Sequence, residues 1–452
     1  MPPFRDEVVF VISVGSQVTK VQHGLPESLT PAQQVVPSKV YRTELDGKVS
    51  YSLSGDETDA VSPIKKGVIV DLDALIYLIA TLYVTTTNHP SNILPFAPLL
   101  LVINSEWQPQ QIEKIITYLF TTVQIPAMTV IPESLAAVFA YGLPTACVVN
   151  VGMDKTEITA INDFNIIESA QTVIDVGGQD INSALEKLIP TLQPYQIEEL
   201  KKSSIYEVIY DKSMAFFGEA SQPATSSLEE EGIVDVAEIV ASGNTREILA
   251  QREQQKKVKQ VKQKNSEMAR NSFIDSKGSK VEVGTERFQG TEDMIERLSQ
   301  GIGQAISKLD DVLKRAECWE NLIIVGWPVA IKGFVDAVYL SLQEHFLLTR
   351  ANTYSELPSG FNTPGYSTPT TSIGYGSAIG HAQVPTTIKI AKMAEYFIGW
   401  KGHTWEDASF LGSQIAAKQI FTPGIASIDG AYISRDDFKE QGAKGIWKLG
   451  LF

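Results

Sequence analysis

Only two of the 452 residues are cysteines, Cys147 and Cys318, too few for a disulfide framework and in keeping with a reducing compartment. Histidine is nearly as scarce. His23, His89, His345, His381 and His403 are dispersed, and neither they nor the cysteines show metal-ligand spacing, so no metal site is expected. Positive charge is also in deficit: 38 Lys+Arg against 53 Asp+Glu give a net charge of -15. A chain this acidic repels phosphate backbones, which argues against direct sequence-specific DNA binding by the molecule as a whole. Long apolar runs are missing too. The strongest, Ala74 to Val84, is interrupted by Thr81 and is too short to span a bilayer, so a buried helix and no membrane association are expected. The opening Met1-Pro-Pro-Phe-Arg-Asp-Glu7 lacks the pattern of a signal peptide, and a cytoplasmic or nuclear protein is expected.

What is present is a large apolar fraction, 43%, in a chain long enough to divide into two or more lobes. The run Val8 to Val14, rich in β-branched residues and closed by Gly15, predicts a buried strand entering a tight turn. A second copy follows. Val11, Ser13, Gly15 and Thr19 align without a gap on Val148, Asn150, Gly152 and Thr156, which suggests an internal duplication. Two such hairpins, each opening one half of the chain, could clamp a phosphate between lobes through backbone N–H groups. Two unrelated buried strands that both end in glycine are the plainer alternative.

Further strand-to-helix glycine turns occur at Val173 to Asp180, ahead of a helix predicted over Ile181 to Ile189, and at Leu322 to Gly326. They predict an α/β architecture. A polar stretch at about 211–272 reads as a surface insertion and contains the basic run Lys256 to Lys264, read as the solvated face of a helix with nuclear import as a possible extra role. Residues 352–385, rich in Thr, Ser, Gly and Pro, read as a second loop-like insertion.

The order of first hairpin, second hairpin, Asp175-Val-Gly-Gly-Gln-Asp180, Gly284-Thr-Glu-Arg-Phe288 and Tyr432-Ile-Ser-Arg-Asp-Asp-Phe438 resembles actin and the actin-related proteins over nearly the whole chain. Pro37-Ser38, Gly55-Asp-Glu57, Pro63 to Asp71, Pro98 to Leu101 and Pro126 to Met128 are similar to actin segments in the actin order. Phe410 to Phe421, with Trp447 and Phe452, resembles the fungal nuclear class of that family, the ninth. The resemblance implies the actin-like fold shared with Hsp70 and sugar kinases: two lobes with duplicated β-sheet cores and surface insertions. The outer lobe would comprise 1–145 with 386–452 and the inner lobe 146–351. It further implies a nuclear subunit of SWI/SNF and RSC chromatin remodellers. Such a subunit pairs with an actin-related protein of the seventh class on the helicase-SANT-associated helix of a Snf2-type ATPase.

The same resemblance places a nucleotide pocket around Gly15, Ser16, Lys20, Gly152 and Gly326, but the residues depart from the family at decisive positions. Ser13 and Asn150 stand where each hairpin of the family carries a magnesium-holding Asp, so hard-oxygen ligands for a metal-bound triphosphate are lost. Gln17 replaces a hairpin glycine, Glu133 or Pro132 a glutamine, Glu157 a histidine, and Trp327 a small residue of the adenine loop. A tryptophan can bury ~150–250 Å², enough to take a purine's place. No ATP hydrolysis and no cofactor are expected, although Lys20 and Ser16 leave weak metal-free ATP binding open. An ATP-binding or ATP-hydrolysing cytoskeletal protein of the same fold is the alternative. The family's partner-helix groove would fall on Phe139, Ala140, Gly142, Asn165, Ile415, Lys418 and Ile420, unless Phe139 and Ile415 are core residues of their own helices.

Overall fold

The computed structural model describes residues 4–45, 47–88, 95–209, 264–347, 385, 387–393, 396–400, 405–422 and 430–449. The basic run up to residue 263 and the loop-like stretch up to residue 384 lie outside the described residues.

Two sheets organise the chain. In the first, the order is Ile433–Ser434, Ala127–Pro132, Leu99–Ile103, Phe10–Val14, Val18–His23 and Gln34–Pro37. Its centre is apolar because both faces are covered: all five residues of Leu99–Ile103 are buried. The second sheet runs Asn165–Ile166, Thr156–Asn162, Ala146–Val151 and Leu322–Val325, with Thr172–Ile174 also paired to Thr156–Asn162.

The repeat seen in the sequence is a repeat of pairing. Phe10–Val14 is antiparallel to Val18–His23 and parallel to Leu99–Ile103. Ala146–Val151 is likewise antiparallel to Thr156–Asn162 and parallel to Leu322–Val325. The turns match as well: Gly15 N–H donates to the Val18 carbonyl at 3.0 Å, and Gly152 N–H to the Lys155 carbonyl at 2.9 Å. The first strand begins at Phe10 rather than Val8, because Asp6–Val8 is spent on a 3-10 turn.

Between the sheets lie two helices, Glu133–Tyr141 and Ala408–Phe421. Their small residues Ala136, Ala140, Ala416 and Ala417 share one buried cluster with Val11 and Leu100 of the first sheet and Val148, Ile323 and Val325 of the second. Gly412 sets the spacing: a Cβ there would stand 1.7 Å from the Ala136 carbonyl oxygen. The apolar run expected as a buried helix forms Leu72–Thr87, whose first turn is capped by Asp71 accepting from the Ala74 N–H at 2.9 Å. The helix expected over Ile181 to Ile189 spans Gly178–Leu188. No helix among the described residues is long and apolar enough to cross a membrane.

Two sequence boundaries shift. Ile388 is buried in the core of the second sheet and Leu322 bridges Ile390, so the chain is still attached to that lobe at 388–391, beyond the expected return at 386. The polar insertion also ends earlier than 272. Asn265–Glu267 is a 3-10 turn and Asn271–Ile274 pairs with Lys280–Val283. The fully buried Arg287 organises this region, donating to the carbonyls of Asn265 (2.7 Å), Met268 and Gly284 and to Asn265 Oδ1 (3.0 Å). Asn265 in turn donates to the Ile205 carbonyl at 2.8 Å. A buried guanidinium surrounded by acceptors is satisfied, and polar residues that read as solvated in sequence become its ligands.

Candidate functional site

The two glycine turns face each other across a cleft of about 410 Å³ whose wall includes Ser13, Gly15, Ser16, Gln17, Lys20, Asn150, Gly152, Gly326 and Trp327. The structure thus brings every sequence-selected pocket residue to one place. Strand geometry explains why. Ser13 pairs with Lys20 and Asn150 with Glu157, so the repeat that aligns Ser13 on Asn150 also sets Lys20 opposite Glu157 across the cleft floor. Gly326, at φ +102, is required by close approach, since a Cβ would lie 2.1 Å from the Val151 carbonyl oxygen.

Of the two residues left open at 132–133, Glu133 is the one that lines the cleft. Pro132 ends its strand, and Glu133 opens the central helix and lines the cleft. Burial pushes the Glu133 carboxyl up from its ordinary value; Glu157 and Asp407 act in the same direction, while Lys20 and a hydrogen bond with Asn150 oppose it. Burial likewise raises Glu157, with partial relief from Gln171, Ser105 and Thr159. Glu157 Oε1 accepts from Gln171 at 2.9 Å and from Thr159 at 3.0 Å.

Charge around the cleft disfavours a polyphosphate. Seven carboxylates line it against four lysines, and three of those lysines lie close to protein carboxylates. Lys20, expected as a phosphate contact, is ion-paired with Asp407. Lys155 pairs with Glu106 at 2.8 Å, and Lys202 lies 3.6 Å from Glu198. An anion entering here must compete with fixed carboxylates at low dielectric.

Trp327 begins the 3-10 turn Trp327–Ala330, and its ring sits under the end of helix Pro194–Lys202. The Lys201 ammonium is 4.9 Å from the ring centre and that of Lys202 6.0 Å. Lys201 is fully buried, pairs with Glu198 at 2.8 Å, and has its pKa lowered by burial against that pairing. The indole is therefore held by its own chain in the wall of the cleft.

The expected partner groove is only partly a surface. Ala140 and Ile420 are buried, at 1% and 4% exposure, so they support the helix contact and do not line a groove. Phe139 and Ile415 are half-buried at the edge of the same cluster, and Gly142 and Asn165 are exposed. Phe139 packs on the exposed Phe164 with ring centres 5.1 Å apart. Lys418 folds back to Asp6 (3.3 Å) and the Pro26 carbonyl (3.0 Å).

Glu106, Lys155, Glu198, Lys201 and Asp407 were missed by sequence reasoning. Lys155 lies inside the repeat and could have been read from it. Asp407 could not, being 387 positions from Lys20. Among the described residues no group of three or more His, Cys, Asp or Glu side chains could hold a metal ion.

A duplicated sheet-and-hairpin unit, with two helices between the halves and a cleft between the glycine turns, defines the actin-like fold. The chain matches the actin family over residues 5–356 and belongs to it. It is 26% identical to the SWI/SNF and RSC complexes subunit arp9 of Schizosaccharomyces pombe, over 99% of both chains. It is also 29% identical to the probable actin-related protein 8 of the same organism, over 34% of this chain and 24% of that one. Actin-like protein 7B of Macaca fascicularis is 28% identical over 31% of this chain and 34% of its own.

Proposed function

We propose that this chain is a non-catalytic, nuclear subunit of a SWI/SNF- or RSC-type chromatin remodelling complex. It pairs with a second actin-related protein on the helicase-SANT-associated helix of the remodeller's Snf2-type ATPase. Similarity to the arp9 subunit from end to end supports membership of such a complex. The observation that carries the non-catalytic reading is the cleft floor: Ser13 and Asn150 offer no carboxylate for a metal, and Lys20 is held by Asp407. The alternative, an ATP-driven cytoskeletal protein, needs metal-holding carboxylates at positions 13 and 150, where this chain has Ser and Asn.

The partner helix would lie along the exposed rim of Phe139, Phe164 and Ile415, where apolar anchors at helical spacing find half-buried aromatic and aliphatic side chains. Affinity purification of the tagged chain from nuclear extract tests this. A second actin-related protein and a Snf2-type ATPase are expected by mass spectrometry, and Ile415→Asp should lose both while leaving the melting temperature within a few degrees. Ile420 is unsuitable for the same test, because a buried carboxylate there would unfold the helix contact. Recovery of cytoskeletal proteins in place of those two partners would overturn the proposal.

A further inference from the structure

The nucleotide cleft of this chain is crossed by its own side chains. Glu106 follows the strand Leu99–Ile103 of the first sheet, whereas Lys155 sits in the turn of the second-sheet hairpin; their ion pair at 2.8 Å spans the mouth. Deeper, Glu133, which opens a helix that follows the first sheet, and Asn150 of the second line the same cleft. Lys20 of the first hairpin pairs with Asp407. Asp407 is tied toward the second sheet through its neighbour Glu406, whose carbonyl accepts from the Gly326 N–H at 3.0 Å.

We propose that these contacts form an internal bridge that holds the lobes closed without nucleotide, so that closure is a built-in property of the chain and not a response to a ligand. This inference depends on the cleft alone and stands whether or not the chain sits in a remodeller. Each ion pair is partly open to water, with side-chain exposures of 22% and 26% for Lys155 and Glu106 and of 22% and 30% for Lys20 and Asp407. No single pair dominates, and the bridge acts through several contacts together.

Hydrogen exchange on the full-length chain tests this, read at the two glycine turns and at 103–107. In the wild type, adding Mg-ATP is expected to leave exchange there unchanged, because the bridge is already made. Lys155→Met should speed exchange a few-fold, and Lys155→Met combined with Lys20→Met about tenfold, on both sides of the cleft, a local opening that does not require unfolding. The exchanged pair, Lys155→Glu with Glu106→Lys, should recover most of the protection, which separates loss of the bridge from general damage. Protection that rises in the wild type on adding Mg-ATP would show that a ligand supplies the closure, and overturn the inference. So would the chain carrying both Lys155→Met and Lys20→Met exchanging at the wild-type rate.

Discussion

The first and second hairpins share a backbone and differ in chemistry. Each has an antiparallel partner, a parallel apolar neighbour and the same N–H to carbonyl bond closing its glycine turn. Yet one presents Ser13 opposite Lys20 and the other Asn150 opposite Glu157, so two hairpins with the same pairing carry a lysine and a glutamic acid at matching positions. Val11 and Ser13, like Val148 and Asn150, are two residues apart and share a strand face, so core and cleft are separated by position along the strand: one residue of each pair is packed between the sheets and the other lines the cleft at the strand's end, and the two sets can diverge separately. Val11 and Val148, both fully buried, have kept their character while the cleft-facing neighbours have not. The fold can thus be held by one set of residues while the chemistry of the cleft is set by another.

The largest break in this correspondence is expected where the hairpins share a support. Gly412→Ala puts a Cβ 1.7 Å from a helix carbonyl and must push the central helices apart, at a cost of about 3 kcal/mol or more, read as a lowered denaturant midpoint. A smaller, unequal effect should separate the two turns themselves. An added Cβ meets the Lys155 carbonyl at 2.8 Å in Gly152→Ala but the Val18 carbonyl at 3.1 Å in Gly15→Ala. The first should cost about 1–2 kcal/mol and the second less than about 1 kcal/mol in the same melts.

The smallest effect sharpens the chemical contrast. Burial raises the folded-state pKa of Glu157 and Glu133 above the unfolded value, so folding favours their protonated forms. Their stabilising contribution is present at low pH and is lost as pH rises from the ordinary carboxyl value through the raised one. Glu157→Gln should therefore melt slightly above the wild type near neutrality, with the gap closing as pH falls below the ordinary carboxyl value, measured by thermal melts across that window. A gap independent of pH would mean that the carboxyl does not titrate differently on folding.

Much of this was legible in the sequence, and the reasons differ by residue. The hairpins were readable because a gapless repeat with glycine at fixed offset leaves few alternatives, and Ser13 and Asn150, singled out by the family resemblance, both line the cleft. Glu133 was ambiguous by one position because Pro132 and Glu133 straddle a strand-to-helix junction, which only the backbone resolves. Ala140 and Ile420 looked like groove residues because small and aliphatic side chains serve equally at a helix contact and at an apolar surface. Lys20 read as a phosphate contact since its partner, Asp407, comes from the far end of the chain. The inward turn of 388–391 was hidden for a similar reason: its pairing to Leu322 is a tertiary fact.

The arrangement around Arg287 has a consequence for how such a chain can change over time. Ile205 and Asn265, the points flanking the intervening stretch, are hydrogen-bonded to one another, and the buried guanidinium fastens the returning strand. With the two ends already held together, lengthening the span between them costs only about 0.6 kcal/mol per doubling of loop length. The inner lobe therefore contains a graft point, where sequence can be gained, lost or replaced while the sheet beneath it stays as it is.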